Sequence, residues 1–261
     1  MDTPIAHHLV FRLHDGRVIC RGCAARRRAA LSFLEREPDF RLMVFRVVDN
    51  HLHALVACSE EMAKEFARRV EISIQLSQSP GVAFIPAWSK PISSQRQLRA
   101  TFDYILGQDK HHGFDGDPLH DGGNLPDLLG LRVGRGAHTV RAVRELLPRV
   151  RRADLLRHLP GAEVLEAAAP LGYEHLPYLA EAAAAAFGLA DLRGYSSRAY
   201  AARSAAAAIG ATIAPATAVA GVLRTSPRTV RRAAKRIIDD RVRAAVEGQL
   251  RLRAHMQLRS P

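Results

Sequence analysis

Two histidines and a tyrosine–glutamine pair are the residues of this 261-residue chain best suited to chemistry. His51 and His53 occupy alternate positions of an apolar run, and alternate residues of a strand project from the same face. Tyr104 and Gln108 are four residues apart in a segment with helical periodicity, which places them on one helix face. Two imidazoles, an amide oxygen and a phenol together suit metal-assisted attack by tyrosine on a phosphodiester.

The segment around the histidines predicts two neighbouring strands. Residues 41–48 form a β-rich run, and residues 52–57 follow after a junction short enough to make the two strands antiparallel neighbours. Leu52, Ala54 and Val56 alternate with the histidines. We therefore expect these three side chains to point to the opposite face, into a core.

The tyrosine belongs to a predicted helix that begins at Ser94, the N-cap of a capping box with Gln97. Apolar residues recur at near-helical spacing on one side of this helix only, so the buried and polar stripes are separate. The expected buried stripe is Leu98, Phe102, Ile105 and Leu106, and the expected polar stripe is Gln97, Thr101, Tyr104 and Gln108.

Turn and helix signals predict the other elements of the first half. We expect two strands in residues 7–20, joined by a tight Asp-Gly turn at residues 14–17. The remaining expected elements are a helix at residues 24–37, a helix at residues 60–78 capped by Ser59, and a loop or short strand from Pro80 to Pro91.

These residues, taken in order, resemble the single-tyrosine transposases of the HUH nuclease superfamily, which include the REP-associated tyrosine transposases. The resemblance spans roughly the first 115 residues and is fairly specific as an ordered set, although each piece alone is weak. Its pieces are the strand His7 to Phe11, Asn50 before the first histidine, His51-Leu52-His53, Tyr104 to Gln108, and Lys110-His111-His112-Gly113.

The resemblance implies an α+β fold, in which helices lie behind a palm-like antiparallel sheet. It also implies an enzyme that cuts and joins single-stranded DNA, often beside a hairpin, through a covalent 5′-phosphotyrosine on Tyr104. The metal ligands would be His51, His53 and Gln108. Because these ligands include no thiolate, Mg²⁺ or Mn²⁺ is favoured over a structural zinc.

Two alternatives for metal binding follow from the residues themselves. His111 and His112 lie close to Gln108 and are stronger ligands, so the third ligand stays open. Cys20 and Cys23 suggest zinc, but no second pair follows at finger spacing, which disfavours it.

The charge of the chain indicates a polyanionic partner, most simply nucleic acid. The formal net charge is +12 and the isoelectric point is near 10.5. Residues 222–261 hold eleven Lys and Arg against three Asp and Glu, so +8 of the total is concentrated there. No apolar run has the length of a membrane span and no secretory signal is visible, so we expect a cytoplasmic protein without a membrane partner.

The alanine-rich second half resembles the C-terminal DNA-binding domain of the bacterial replication initiator DnaA between Leu179 and Ile238. The resemblance implies an all-α helix-turn-helix domain whose recognition helix runs from about Pro227 to Ile238. The initiator's Asp-His-Thr-Thr-Val reads Ser-Pro-Arg-Thr-Val here, so its base preference does not carry over. The expected DNA-contacting residues are Arg198, Arg203, Arg228, Thr229, Arg231, Arg232 and Lys235.

These patterns predict four regions. They are an HUH domain at residues 1–120, a linker with a connecting helix at 121–160, a helix-turn-helix domain at 161–245 and a basic tail at 246–261. The expected partners are single-stranded DNA, flanked by hairpins, and duplex DNA, with a homodimer possible. One alternative function stays open, namely a domesticated DNA-binding regulator that keeps the fold without turnover.

Overall fold

In the computed structural model, which describes residues 3–48, 50–108, 117–134, 136–167 and 169–258, four extended segments pair into an antiparallel sheet. The α+β class with an antiparallel sheet is therefore confirmed. The antiparallel pairing of the run at residues 41–48 with the run at residues 52–57 is confirmed as well. The strands are β1 (Ala6–Leu13), β2 (Leu42–Val47), β3 (His51–Val56) and β4 (Phe84–Ile92), in the order β2-β3-β1-β4.

The chain divides into two units. The first comprises the described residues of Met1–Leu129 and Arg135–His158, and the second those of Gly130–Gly134 and Leu159–Pro261. The helices of the first unit are α1 (Gly22–Leu34), α2 (Glu37–Phe40), α3 (Glu60–Gln78), α4 (Gln95–Leu106), α5 (Leu125–Leu128), α6 (Ala137–Leu146) and α7 (Arg152–Leu156).

The two faces of the sheet differ in chemistry, as the alternation in β3 predicts. Leu52, Ala54 and Val56 are buried in an apolar core with residues of α1 and α3, which confirms the prediction for these three side chains. Phe33 of α1 stacks on Phe45 of β2 at a ring separation of 4.6 Å within that core. The other face carries the histidines, and α4 packs against β2 and β3.

Helix starts agree closely with their local signals. The Ser59 hydroxyl accepts the Met62 N–H at the start of α3, and the Ser94 hydroxyl accepts the Gln97 N–H at the start of α4. The reciprocal bond of the capping box is shifted by one residue, because Gln97 accepts from the Ser93 N–H. All four residues of the expected apolar stripe of α4 are buried: Leu98, Phe102, Ile105 and Leu106.

Two predictions about strands were wrong or incomplete. Residues 17–20 do not form a second strand after the turn, because β3 and β4 already occupy both sides of β1. The segment left open as a loop or short strand forms the nine-residue β4. Its Pro86 and Pro91 are tolerated because β4 is an edge strand, where a missing N–H donor breaks no ladder on the outer side.

The second unit is helical and packed through small side chains. All residues of the two alanine runs, 182–186 and 205–208, are buried, so the helices that carry them can approach closely. A Cβ on Gly210 would lie 2.6 Å from Leu179 and 2.7 Å from Val219, so only glycine fits there. Two 3₁₀ helices (Ala162–Leu165, Tyr173–Tyr178) precede α8 (Leu179–Ala186), α9 (Ser197–Ile213), α10 (Ala216–Leu223), α11 (Pro227–Ala234) and α12 (Asp240–Leu258).

The helix expected to span residues 227–238 is shorter than predicted, because α11 ends at Ala234. Asp239 precedes the next helix, which begins at Asp240, and its carboxylate accepts the N–H groups of Arg241 and Val242. A carboxylate at this position satisfies N–H groups that a helix start leaves without intrahelical partners. Among the described residues, no helix has the length and hydropathy needed to cross a bilayer.

The structure assigns the expected linker and tail to the two units. Residues 121–129 and 136–158 pack in the first unit, where the Glu37 carboxylate accepts the Gly136 N–H and the Thr139 hydroxyl, whereas residues 130–134 belong to the second unit. The expected tail, from residue 246, continues the helix that begins at Asp240, and its Val246, Leu250, Leu252 and Ala254 are buried. The expected linker and the expected tail both supply buried side chains to the two units. Neither segment is therefore a separate region outside a core.

Candidate active site

The paired histidines lie on one face of β3. His51 and His53 are both buried, and their ring centroids are 4.7 Å apart. Their spacing follows from the two-residue period of a strand, which turns Leu52 to the core between them. Two imidazoles this close can bind a single metal ion, as the spacing predicts.

The Nδ1 atom of each histidine has a hydrogen-bonding partner. His51 Nδ1 lies 2.8 Å from the Asn50 side-chain oxygen, and His53 Nδ1 lies 3.0 Å from His8 Nε2. Burial lowers the pKa of His8 to about 4, so at neutral pH its ring is uncharged and Nε2 can accept the His53 proton. With both Nδ1 atoms engaged, Nε2 of each ring is the atom suited to a metal.

Tyr104 contacts this histidine cluster from α4. Its ring centroid is 5.7 Å from that of His53 and 6.1 Å from that of His8, edge to face in both cases. The side chain is 41% exposed, whereas the apolar stripe of the same helix is buried. The phenol therefore lies beside the histidines and is open to an incoming substrate.

Gln108 lies just beyond the end of α4 and is fully buried. Its amide nitrogen donates to the Tyr104 carbonyl oxygen at 3.2 Å, while its amide oxygen accepts no hydrogen bond from any described residue. A buried carbonyl without a donor costs roughly 1–3 kcal/mol, and a bound cation would remove that cost. The donor set of two imidazole nitrogens and one amide oxygen thus fits a divalent ion.

The alternative third ligands, His111 and His112, and the closing Lys110–Gly113 motif lie outside the described residues. The choice between them and Gln108 is therefore still open. The zinc alternative gains no support, because Cys20 is buried in the apolar core of the first unit while Cys23 is exposed.

Sequence reasoning missed two residues beside the site. His8 is one of them, and the second is Arg46, which lies opposite His53 on β2 and is fully buried. Arg46 is 3.0 Å from the Asp117 carboxylate and donates to the Asp117 carbonyl at 2.7 Å. Burial raises the pKa of Asp117 to about 6, with Arg46 opposing that shift. A signal was present, because an arginine within an apolar strand run requires a buried partner.

His120 links two segments of the first unit by a hydrogen bond. It is buried, and burial holds the pKa of its ring well below the usual value. Its Nε2 lies 2.8 Å from the His158 carbonyl oxygen and donates to it. This bond ties the loop after residue 117 to the end of the first unit.

The expected DNA-contacting residues of the second unit fall into two groups. On α11 the cationic side chains are exposed while Val230 and Ala233 are buried, so the helix presents one basic face. We call this face, formed by Arg228, Thr229, Arg231, Arg232 and Lys235, the basic helix face. Among the described residues, none of its four cations forms an ion pair.

Arg198 and Arg203 differ from that face, because both are half-buried and bonded to backbone. Arg198 donates to the Val133 carbonyl oxygen at 3.0 Å, and Arg203 donates to the carbonyls of Leu192 and Gly194. These bonds hold loops of the second unit in place and use donors that a phosphate would need.

A three-residue turn, Arg224 to Ser226, joins α10 to α11. Arg224 adopts a left-handed conformation (φ 50°), and the Ser226 hydroxyl caps α11 by accepting the Thr229 N–H at 3.1 Å. Pro227 occupies the first turn, where a missing N–H costs nothing. The turn therefore fixes where the basic helix face begins.

No protein-family model matches the chain, and neither a curated protein nor a solved structure matches it.

Proposed function

We propose that the first unit is an HUH-type nuclease and strand transferase that acts on single-stranded DNA through a 5′-phosphotyrosine, and that the chain is a transposase. One observation carries the proposal: Tyr104 contacts His53 from a different element, 5.7 Å away, beside a second histidine and a buried amide oxygen. His51, His53 and Tyr104 are thus in ring contact, and Gln108 is bonded to the backbone of Tyr104.

In the proposed reaction, the phenolic oxygen of Tyr104 attacks the phosphorus of a phosphodiester and gives up its proton to solvent. A bond forms between that oxygen and phosphorus, the bond to the 3′-oxygen breaks, and the 3′-oxygen leaves as a hydroxyl after taking a proton. A Mg²⁺ or Mn²⁺ ion held by His51, His53 and Gln108 would supply Lewis-acid polarisation of a non-bridging oxygen. The phosphotyrosine keeps an ester bond, so a 3′-hydroxyl can reverse the reaction and join strands.

We further propose that the second unit binds duplex DNA through a helix-turn-helix formed by α10 and α11. The support is the basic helix face, whose cations are exposed and form no ion pair among the described residues. Recognition helices of this kind place their N-terminal residues against base edges, which would give Arg228 that position.

The central test is a covalent adduct assay with Mn²⁺. The substrate is a pool of hairpin-containing single-stranded oligonucleotides labelled at the 3′ end, because a 5′-phosphotyrosine keeps the 3′ part of the strand on the protein. We expect a labelled protein band with wild type and none with Tyr104→Phe, which removes only the hydroxyl. Tyr173→Phe, an exposed tyrosine of the second unit, is the matched control and should form the adduct.

An adduct formed by Tyr104→Phe would show that another residue is the nucleophile. Absence of any adduct from the wild type, with duplex binding intact, would favour the silent DNA-binding regulator. Loss of the adduct in EDTA is also expected, and full activity there would contradict the metal site.

A further inference from the structure

Beside the candidate active site, β1 and β4 carry three exposed side chains on the histidine face of the sheet. In the antiparallel register, Lys90 lies opposite His8, Trp88 lies opposite Val10, and Arg12 lies opposite His51. Directly paired residues project from the same face. Arg12, Trp88 and Lys90 therefore share the face that holds the histidines, and we call them the sheet-edge strip.

The indole of Trp88 is largely exposed and, among the described residues, is not stacked on another ring of the protein. Its side chain is 56% exposed, although tryptophan is the largest apolar side chain and usually covers other residues. Its ring contact with His8, at 6.2 Å, is edge to face at 78°, so the two rings are not stacked. A flat aromatic surface is therefore available to a ligand.

The two cations of the strip are available as well. Arg12 and Lys90 are exposed, and among the described residues neither side chain forms an ion pair or a hydrogen bond. A surface that alternates an aromatic ring with unneutralised cations suits single-stranded nucleic acid, because bases stack on the ring and phosphates contact the cations. It suits a protein partner less well, since protein interfaces bury few unneutralised cations at their centre.

The strip is continuous with the candidate active site. His8 contacts Trp88 on one side and Tyr104 on the other, with ring separations of 6.2 and 6.1 Å. Trp88 and His53 are separated across the sheet by β1, which is about 10 Å at two strand spacings. That span places a base on Trp88 within a nucleotide or two of a phosphate at Tyr104.

We propose that the sheet-edge strip binds the single strand next to the cleaved phosphate, with one base stacked on Trp88 and phosphates contacted by Arg12 and Lys90. The inference rests on the proposed function, because the strip ends at the proposed nucleophile. Single-stranded binding would thus belong to the first unit and duplex binding to the second.

Trp88 is the only tryptophan in the chain, so its fluorescence reports on the strip alone. The full-length protein is titrated with a 12-nucleotide oligothymidylate in EDTA, and binding is followed in parallel by anisotropy of a labelled copy. We expect saturable quenching of Trp88, with a midpoint that matches the anisotropy curve. A duplex of equal length should bind without quenching.

Substitutions separate stacking from charge. Trp88→Ala should weaken single-strand binding by about 5- to 100-fold, whereas Trp88→Phe keeps a ring and most of the affinity. Lys90→Ala should reduce the salt dependence by about 0.7 log units per log unit of salt, and Lys64→Ala, an exposed lysine of α3, should not change it. Duplex affinity should stay the same in all four variants.

The proposed role of the strip is refuted if the anisotropy shows saturable binding of the oligothymidylate while Trp88 fluorescence is not quenched. It is also refuted if Trp88→Ala binds the oligothymidylate as tightly as the wild type. If Trp88 fluorescence is quenched as the protein concentration rises without DNA, and light scattering gives a doubled mass, the proposal is also refuted. The exposed Trp88 and β4 would then belong to a dimer interface. If the adduct forms but the oligothymidylate does not quench Trp88, only the DNA-binding role of the strip is refuted and the proposed reaction stands. Quenching without any adduct supports the strip and overturns the proposed reaction.

Discussion

His8 is the residue that gives the histidine pair a defined chemistry. An isolated His-x-His on a strand has two tautomers for each ring and no preferred ligand atom. A metal on Nε2 of His53 requires the proton on Nδ1, and His8 Nε2, 3.0 Å away, can accept that proton. Asn50 does the same for His51 at 2.8 Å, where the amide oxygen accepts the Nδ1 proton.

Replacing His8 should therefore weaken metal binding without removing a ligand. We expect His8→Ala to lower Mn²⁺ affinity by about 10- to 100-fold, and His8→Asn, which keeps an acceptor, to lose less. Calorimetric titration with Mn²⁺ measures this, with thermal unfolding to confirm that each variant is folded. The matched control is His7→Ala, since His7 is the neighbouring histidine and alternates to the opposite face of β1. Unchanged affinity in His8→Ala would refute this role.

The pair His51 and His53 could be predicted from sequence because both lie on one strand, where spacing alone decides the face. Tyr104 could be predicted for a similar reason on a helix, whereas Gln108, expected on the same helix face, lies just beyond the end of α4. His8 could not, because its contact with His53 depends on how β1 pairs with β3, a register that local pattern does not determine. The shared face of the histidine pair was thus predictable, and the contact that His8 makes with His53 was not.

At the scale of elements, local signals predicted helix starts better than strand partners. Ser59 and Ser94 cap their helices as predicted. Each cap joins a hydroxyl to an N–H only three residues later, so it depends on the local sequence alone. The second strand expected at residues 17–20 failed for a non-local reason, since β1 already has a neighbour on each side. The end of α11 at Ala234 likewise depends on Asp239, which starts another helix.

The basic helix face yields a prediction about salt dependence. Replacing Arg228, Arg231 and Arg232 with alanine should weaken duplex binding and flatten the log–log salt slope by up to about three units, at about 0.9 per phosphate contact. Filter binding between 50 and 200 mM salt would measure it. The charge-matched control replaces Lys64, Arg68 and Arg69 of α3, which are exposed and paired with carboxylates.

An unchanged slope in the α11 variant would show that this helix is a packing element. Equal flattening in the α3 control would show that net charge alone drives binding. Only a slope that changes in the first variant and not in the second supports a recognition helix.

At the scale of the whole molecule, the two units are not consecutive in sequence. Residues 130–134 belong to the second unit, although residues 136–158 return to the first. The sequence predicted a linker with a connecting helix at residues 121–160, but it could not reveal that the chain returns. The returning segment packs on β2 and bonds to the buried Glu37 carboxylate, and both partners lie about a hundred residues earlier in the chain.

This arrangement predicts which fragments of the first unit are stable. A fragment ending at residue 158 keeps the Thr139 hydroxyl, 2.6 Å from the buried Glu37 carboxylate, and the Thr139 N–H at 3.2 Å. A fragment ending at residue 136 loses both, and each hydrogen bond to a buried charge contributes about 1.5–3 kcal/mol. We therefore expect the shorter fragment to unfold at markedly lower urea concentration, as followed by circular dichroism. Thr139→Val in the full chain isolates the hydroxyl and should destabilise the first unit by a similar single-bond amount. Equal urea unfolding midpoints for the two fragments would mean that residues 137–158, including α6, do not stabilise the first unit.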